Sequence, residues 1–214
     1  SNKFETNLAL KAGVEKSKII EIGHPDYDIL YDNYSKRYNA RKRLLDLYSL
    51  QYDSKIFVVN IPQWLEQGFF SRERHFEEIE FYLNNVKLID GLVLLSLHPR
   101  QELDDYRFLI SDNIHISSQK LSEILPTADC FITNMSSTIS WSILCGIKTI
   151  IYDPIKPTID IYNIFKTIKH CKEREVFSNE IKNINSLITP EEFEYDWEKI
   201  NRVNIFDGKV SQRY

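Results

Sequence analysis

Glycine is scarce, with only six in 214 residues. Neither G-x-G-x-x-G nor G-x-x-x-x-G-K-[ST] occurs. Support for a dinucleotide dehydrogenase or a P-loop NTPase is therefore missing, because both need glycine where backbone meets phosphate. No apolar run reaches the roughly 18 residues of a membrane span, and no basic-then-apolar leader opens the chain. Cysteine numbers three, without metal-ligand spacing. Cys130 and Cys145 fall in or beside buried elements and Cys171 late in an expected helix, so reduced thiols are expected. There is no G-x-S-x-G elbow and no metal-spaced cluster of His, Cys and carboxylate, so no metal is assigned. Positive charge is not in excess: the net charge is −4 and the pI about 5.8. That argues against nucleic acid as a partner, and Arg41, Lys42 and Arg43 read as a solvated helix face.

What is present is enough for one sizeable core, since 43% of the residues are hydrophobic, but two full domains would be a squeeze. Five short, nearly continuous apolar runs carry the pattern of strands covered on both faces. They are "KIFVV" (Lys55 to Val59), "LVLLSL" (Leu92 to Leu97), "IHIS" (Ile114 to Ser117), "CFIT" (Cys130 to Thr133) and "TIIY" (Thr149 to Tyr152). Between them, Ser71 to Ile89 sets Phe76, Ile79, Leu83 and Val86 on one helical face, and Leu121 to Thr127 makes a shorter turn of helix. Repeated strand and helix imply right-handed crossovers. The expected fold is α/β, a Rossmann-like parallel sheet of about five to six strands with helices on both faces. Ser17 to Asp28 reads as one more strand running into a turn at His24, followed by a helix from about Ile29 to Leu50. Asp160 to Lys172 reads as a helix, "REVF" as a short segment, and "PEEFEYDWEKI" as helical.

In such sheets a ligand lies beyond the carboxyl ends of the strands. The loops gathered there are Asn60-Ile61-Pro62-Gln63, His98-Pro99-Arg100, the run Asn134 to Thr138, and Asp153-Pro154. Alone, a His-Pro pair is a turn, and Ser136 or Ser137 is simply a helix N-cap. Together, His98, Arg100 and the Ser136, Ser137, Thr138 helix start would offer one crevice a cation, hydroxyls and oriented N–H groups, the set a diphosphate needs. His75, His115 and His170 have no visible partners and read as surface or core histidines.

These residues carry a resemblance. "GVEKSKIIEIGHPDYDIL", then "LLSLHPR", then "LSEILPTADCFITNMSSTISWSILCGIKTIIYD" resemble in order the carboxyl-terminal half of GT-B glycosyltransferases. The similarity is closest to the CDP-glycerol glycerophosphotransferases and His-Pro-motif sialyltransferases of bacterial surface polysaccharides, and extends to UDP-N-acetylglucosamine 2-epimerases. It covers roughly residues 13 to 165. The resemblance implies a donor-binding half of a transferase, with His98 contacting phosphate and acting in catalysis. Arg100, Asn134, Ser136, Ser137, Thr138 and Asp153 would hold the donor. The donor would be UDP-, CDP- or CMP-linked, with no other cofactor. It further implies a glycan acceptor brought by a missing amino-terminal domain, consistent with a chain that opens Ser-Asn and not Met. Residues 1–50 would be the end of that lobe with a crossover, 51–178 the donor domain and 179–214 a helical extension. A cytoplasmic place follows, with the full-length protein peripheral at the inner membrane as a further option. Two departures count. Where members carry a ribose-holding glutamate, Trp141-Ser142 stands here, leaving a different donor, a different ribose contact such as Asp153 or Asp160, or a degenerate site. The epimerases' D-S-G-G-x-x-E-E carboxylates are missing from "TNMSSTISW". The alternatives are a non-catalytic nucleotide- or sugar-phosphate-binding module and an epimerase-like enzyme.

Overall fold

The computed structural model describes residues 2–155 and 160–213, the side chain of Leu109 excepted. Three helices come first: α1 (Lys3–Lys11), α2 (Asp26–Ser35) and α3 (Arg37–Leu47). The sheet and its crossovers follow as β1 (Ile56–Asn60), α4 (Arg72–Val86), β2 (Leu92–Ser96), β3 (Ile114–Ile116), α5 (Leu121–Ile124), β4 (Cys130–Thr133), α6 (Ile139–Cys145), β5 (Lys148–Tyr152) and β6 (Ile168–Cys171). Helices α7 (Arg174–Lys182), α8 (Pro190–Ile200) and α9 (Arg202–Ile205) close the chain.

All strand pairs are parallel and the order is β3-β2-β1-β4-β5-β6. Alternation along each strand feeds two cores. Val58, Leu94, Phe131 and Ile151 pack with α2, α3, α5, α6 and α9 on one face. Phe57, Val59, Val93, Leu95, Ile132 and Ile150 pack with α4 and α7 on the other. Burial on both sides is why the strands are apolar throughout. Each such side chain, fully buried, contributes about 1.5–3 kcal/mol of transfer free energy. Helix α4 lies as its spacing predicts, with Ile79, Leu83 and Val86 buried, Phe76 half-buried against the same core, Tyr82 buried beside them though not foreseen, and Ser71 capping Arg74 N–H at 3.3 Å. All three cysteines are free and buried.

Four expectations are corrected. Ser17 to Asp28 is no strand: a 3-10 turn spans Lys16–Lys18, and α2 begins at Asp26. Ile20 stands 73% exposed, so the run's β propensity meets no open sheet edge. The single helix from Ile29 to Leu50 is two, broken at Lys36 (φ −100°, ψ 5°). There the Ser35 hydroxyl donates back to Tyr31 O at 2.8 Å, a bond that competes with helix continuation. The helix from Asp160 to Lys172 is a 3-10 turn, Ile161–Ile164, and then strand β6 carrying Cys171. "REVF" opens α7, a full helix. Unforeseen, α1 starts with a capping box in which Asn2 Oδ1 accepts from Glu5 N at 2.9 Å and Glu5 Oε2 from Asn2 N at 3.1 Å.

The carboxyl-terminal stretch is stitched onto the core by single polar groups. Buried Asp196 of α8 accepts from Lys166 N and Thr167 N at 2.8 Å each and from Thr167 Oγ1 at 2.6 Å. Buried Lys148 donates to Ile184 O at 3.0 Å and Ser186 Oγ at 2.7 Å. Asp28 of α2 accepts from Val210 N and Ser211 N at 2.8 Å each. Desolvation alone would raise the Asp28 carboxyl; the bonds from Ser211 and Val210 outweigh it, and its pKa lies below the ordinary value. A depressed carboxylate stabilises fully above its ordinary pKa of about 3.9 and loses that contribution as pH falls through the lowered value. Protection of the Val210 and Ser211 amides against exchange, relative to the intrinsic rate at each pH, is therefore expected to fall in strong acid before that of the sheet amides. Asp28→Asn should remove that pH dependence, and equal protection at pH 7 and pH 2 in the unsubstituted protein would contradict the attachment.

Candidate functional site

The strand order reverses between β1 and β4: the chain leaves β1 toward β2 and β3, and from β4 it runs the other way. Loops leaving two such neighbours part from each other, so a crevice forms at the switch point. A cavity of about 730 Å³ lies there. It is lined by the loops after β1 (Asn60, Gln63), β2 (His98, Pro99), β3 (Ser117 to Lys120) and β4 (Asn134 to Thr138), and by Trp141 of α6. Among the described residues no carboxylate lines it, and Lys120 is the one lysine or arginine of the lining.

His98 sits in a turn closed by Gln101 N–H to His98 O at 2.8 Å. Its Nδ1 accepts from Arg100 N at 3.2 Å. With Nδ1 occupied as acceptor, the neutral ring carries its proton on Nε2 and presents a donor there. After β4, the polar run ends the strand as expected, but helix α6 begins at Ile139 with Thr138 as N-cap, one residue beyond the serines. Ser136 Oγ accepts from Thr138 N at 3.2 Å and lies 2.8 Å from Thr138 Oγ1. Ser137 is the exposed member; its carbonyl accepts from Ser140 Oγ at 3.0 Å, and the Tyr27 hydroxyl of α2 lies 3.5 Å from that same Oγ.

Helix α6 is short and is fixed at its far end. Trp197 Nε1 donates to Ile143 O at 2.8 Å and Arg202 Nε to Leu144 O at 2.7 Å. Gly146 ends the helix at φ +67°, where a Cβ would meet Trp197 at 2.9 Å. Glycine alone suits both the left-handed turn and the close indole. The carboxyl-terminal helices thereby set the position of the polar run from behind.

Of the seven residues expected at the site, His98, Asn134, Ser136, Ser137 and Thr138 come together around the cavity. Arg100 is exposed and is not among the lining residues; its backbone N–H orients His98. Asp153 is 3% exposed, lies one strand further along and is outside the lining. It accepts from Ile155 N at 3.4 Å and stands 3.7 Å from His170 Nε2. His170 is buried, and its other ring nitrogen lies 3.7 Å from Asp160. His24 is the turn residue expected: its carbonyl accepts from Tyr27 N at 2.8 Å. Sequence reasoning missed Lys120 and Gln101. The crevice rule covers the loop after β3 as well, and would have found Lys120.

Among the described residues there is no grouping of three or more His, Cys, Asp or Glu suited to a metal ion, and no helix long and apolar enough to cross a membrane. The sheet order and its switch-point crevice define the class: a Rossmann-like α/β domain, built as one half of a GT-B fold. The profile of the CDP-Glycerol:Poly(glycerophosphate) glycerophosphotransferase family matches residues 1–143, and the chain belongs to that family. Comparison with curated protein sequences returned no match. Among solved structures it is similar to the wall teichoic acid polymerase TagF, at 19% identity and TM-score 0.59, over 99% of this chain and 54% of that one. A TagF variant soaked with CDPG gives TM-score 0.62 at 19% identity over the same shares. The UDP-GlcNAc 2-epimerase from Neisseria meningitidis, bound to UDP-GlcNAc, gives 0.61 at 16% identity, over 99% of this chain and 58% of that one. At these identities the likeness is one of fold. The chain spans little more than half the length of these structures.

Proposed function

We propose that this chain is the donor-binding half of a glycerophosphotransferase or related transferase of wall polymer synthesis, and that the switch-point cavity holds the diphosphate of a CDP-linked donor. The observation that carries the reading is the lining itself: His98, Lys120, Asn134 and three hydroxyl residues converge with no opposing carboxylate. The family description names CDP-glycerol as donor, so CDP takes precedence over the UDP and CMP alternatives. In the transfer, an acceptor hydroxyl gives up its proton to solvent or to a base of the lobe that brings the acceptor, and its oxygen bonds to the distal phosphorus while the anhydride P–O bond breaks and CMP leaves with the electron pair. Charge grows on the leaving phosphate, so donors already aimed at it stabilise the transition state more than the ground state. His98 Nε2–H, the Lys120 ammonium and the Ser136 to Thr138 hydroxyls fill that role. We assign residues 51–178 to donor binding, 1–50 to the end of a preceding lobe that brings the acceptor, and 179–214 to the extension that braces α6.

His98→Ala should weaken CDP binding by about tenfold or more, the loss of one charge-assisted bond worth ~1.5–3 kcal/mol, without lowering the melting temperature. Unchanged affinity by calorimetry would remove His98 from the site. A second reading rests on Trp141, which lines the cavity where a ribose-holding carboxylate is expected. On that reading the domain binds nucleotide without turnover. Donor consumption by a protein that joins this chain to the proposed acceptor lobe, assayed alongside this chain, separates the two, since nucleotide binding without consumption by either favours the second.

A further inference from the structure

Gln101 is 8% exposed and both ends of its amide are used. Its Oε1 accepts from His98 N at 2.9 Å, and its Nε2 donates to Pro62 O at 3.0 Å and to the Tyr106 hydroxyl at 3.2 Å. Its backbone N–H already closes the turn onto His98 O. Both backbone polar groups of His98 are thus bonded to one residue, and the same side chain ties that turn to the loop after β1. The cavity lies along these two loops.

Behind Gln101 stand Tyr106 and His75. The Tyr106 hydroxyl lies 3.2 Å from His75 Nε2. Burial, with the nearby Glu66 carboxylate adding to it, pushes the Tyr106 phenol up to about 12, so it keeps its proton. Burial lowers the pKa of His75, favouring the neutral ring, whose Nε2 accepts from Tyr106 or donates to it according to the tautomer. Tyr106 can then take the Gln101 N–H on its oxygen, and the Gln101 carbonyl is left facing His98. An amide supplies both a donor and an acceptor at this distance; neither a carboxylate nor an apolar side chain of similar length does.

We propose that Gln101 is the positioning residue of the candidate site: it fixes the His-Pro turn and the loop after β1 relative to each other, so that His98 presents Nε2–H to the donor anion without reorganisation. This rests on the reading of His98 as a phosphate contact. Preorganisation of this kind adds affinity by removing an ordering cost at binding.

The test uses the whole chain labelled with 15N at histidine, together with calorimetric titration of CDP. In the unsubstituted protein His98 should show one tautomer, protonated on Nε2. In Gln101→Met the turn loses its anchor, the Arg100 N–H leaves Nδ1, and His98 should show both tautomers, with CDP affinity about tenfold lower. Gln101→Glu should behave likewise at neutral pH, because a carboxylate cannot donate to Pro62 O, and it decides the matter alone if Gln101→Met does not fold. A single unchanged tautomer and unchanged affinity in a folded variant would overturn the proposal, as would mixed tautomers in the unsubstituted protein. If CDP does not bind even the unsubstituted protein but the tautomer signature responds to Gln101, the positioning stands and the donor reading fails.

Discussion

Ser137→Asp is expected to lower the affinity for CDP by at least about a hundredfold while the protein stays folded. Ser137 is exposed at the mouth of α6, and its backbone carbonyl, which Ser140 uses, survives the substitution. The new carboxylate would stand where the diphosphate is proposed to lie. Two unit charges ~4 Å apart repel by about 4 kcal/mol at an effective dielectric near 20, close to a thousandfold in affinity before solvent screening. Ser137→Asn, of the same shape without the charge, should lose far less, so the pair isolates electrostatics from bulk. Calorimetric titration of both, with melting curves as the folding check, reads the result. An aspartate variant that binds CDP within twofold of the original would place the phosphates elsewhere.

Asp196→Ala should carry the largest stability cost, about 3–5 kcal/mol, within what three buried donors left unpaired cost together. The carboxylate is 1% exposed and holds two backbone N–H groups and the Thr167 hydroxyl. The substitution leaves three donors without an acceptor, each costing about 1–3 kcal/mol if water does not reach it. The consequence should extend to the site, because α8 also carries Trp197, whose indole caps α6 at Ile143 O. Urea denaturation gives the cost directly, and a loss below 1 kcal/mol would mean that α8 contributes little to holding β6 in the sheet.

The strands were legible because a sheet covered on both faces needs continuous apolar runs, and five such runs stand in the sequence. β6 was not. Ile161, Ile164, Phe165 and Ile168 fall at helical spacing, and only the open edge of β5, which no local pattern announces, draws Ile168–Cys171 into a strand. The reverse error at "KIIEIG" has the same cause: strand-like residues with no edge to join. At the site, His98, Asn134 and Ser136 to Thr138 followed from the rule that ligands gather beyond the carboxyl ends of strands. Arg100 follows His98 by two residues, but the turn spends its backbone on His98 and keeps its side chain out of the lining. Gln101 carries no charge and no motif. Its importance comes from Pro62, 39 residues away, and contacts of that range are invisible until the fold is known.

The central claim is that the crevice between the β1 and β4 loops holds a nucleotide diphosphate on His98, Lys120 and the Ser136 to Thr138 turn. Calorimetric titration of this chain with CDP, UDP, GDP and CMP tests it most directly. The account predicts saturable heat with CDP that is reduced in His98→Ala and lost in Ser137→Asp, and weaker binding of CMP, which lacks the second phosphate. No heat from any of the four nucleotides, with the protein folded by its melting transition, would contradict it.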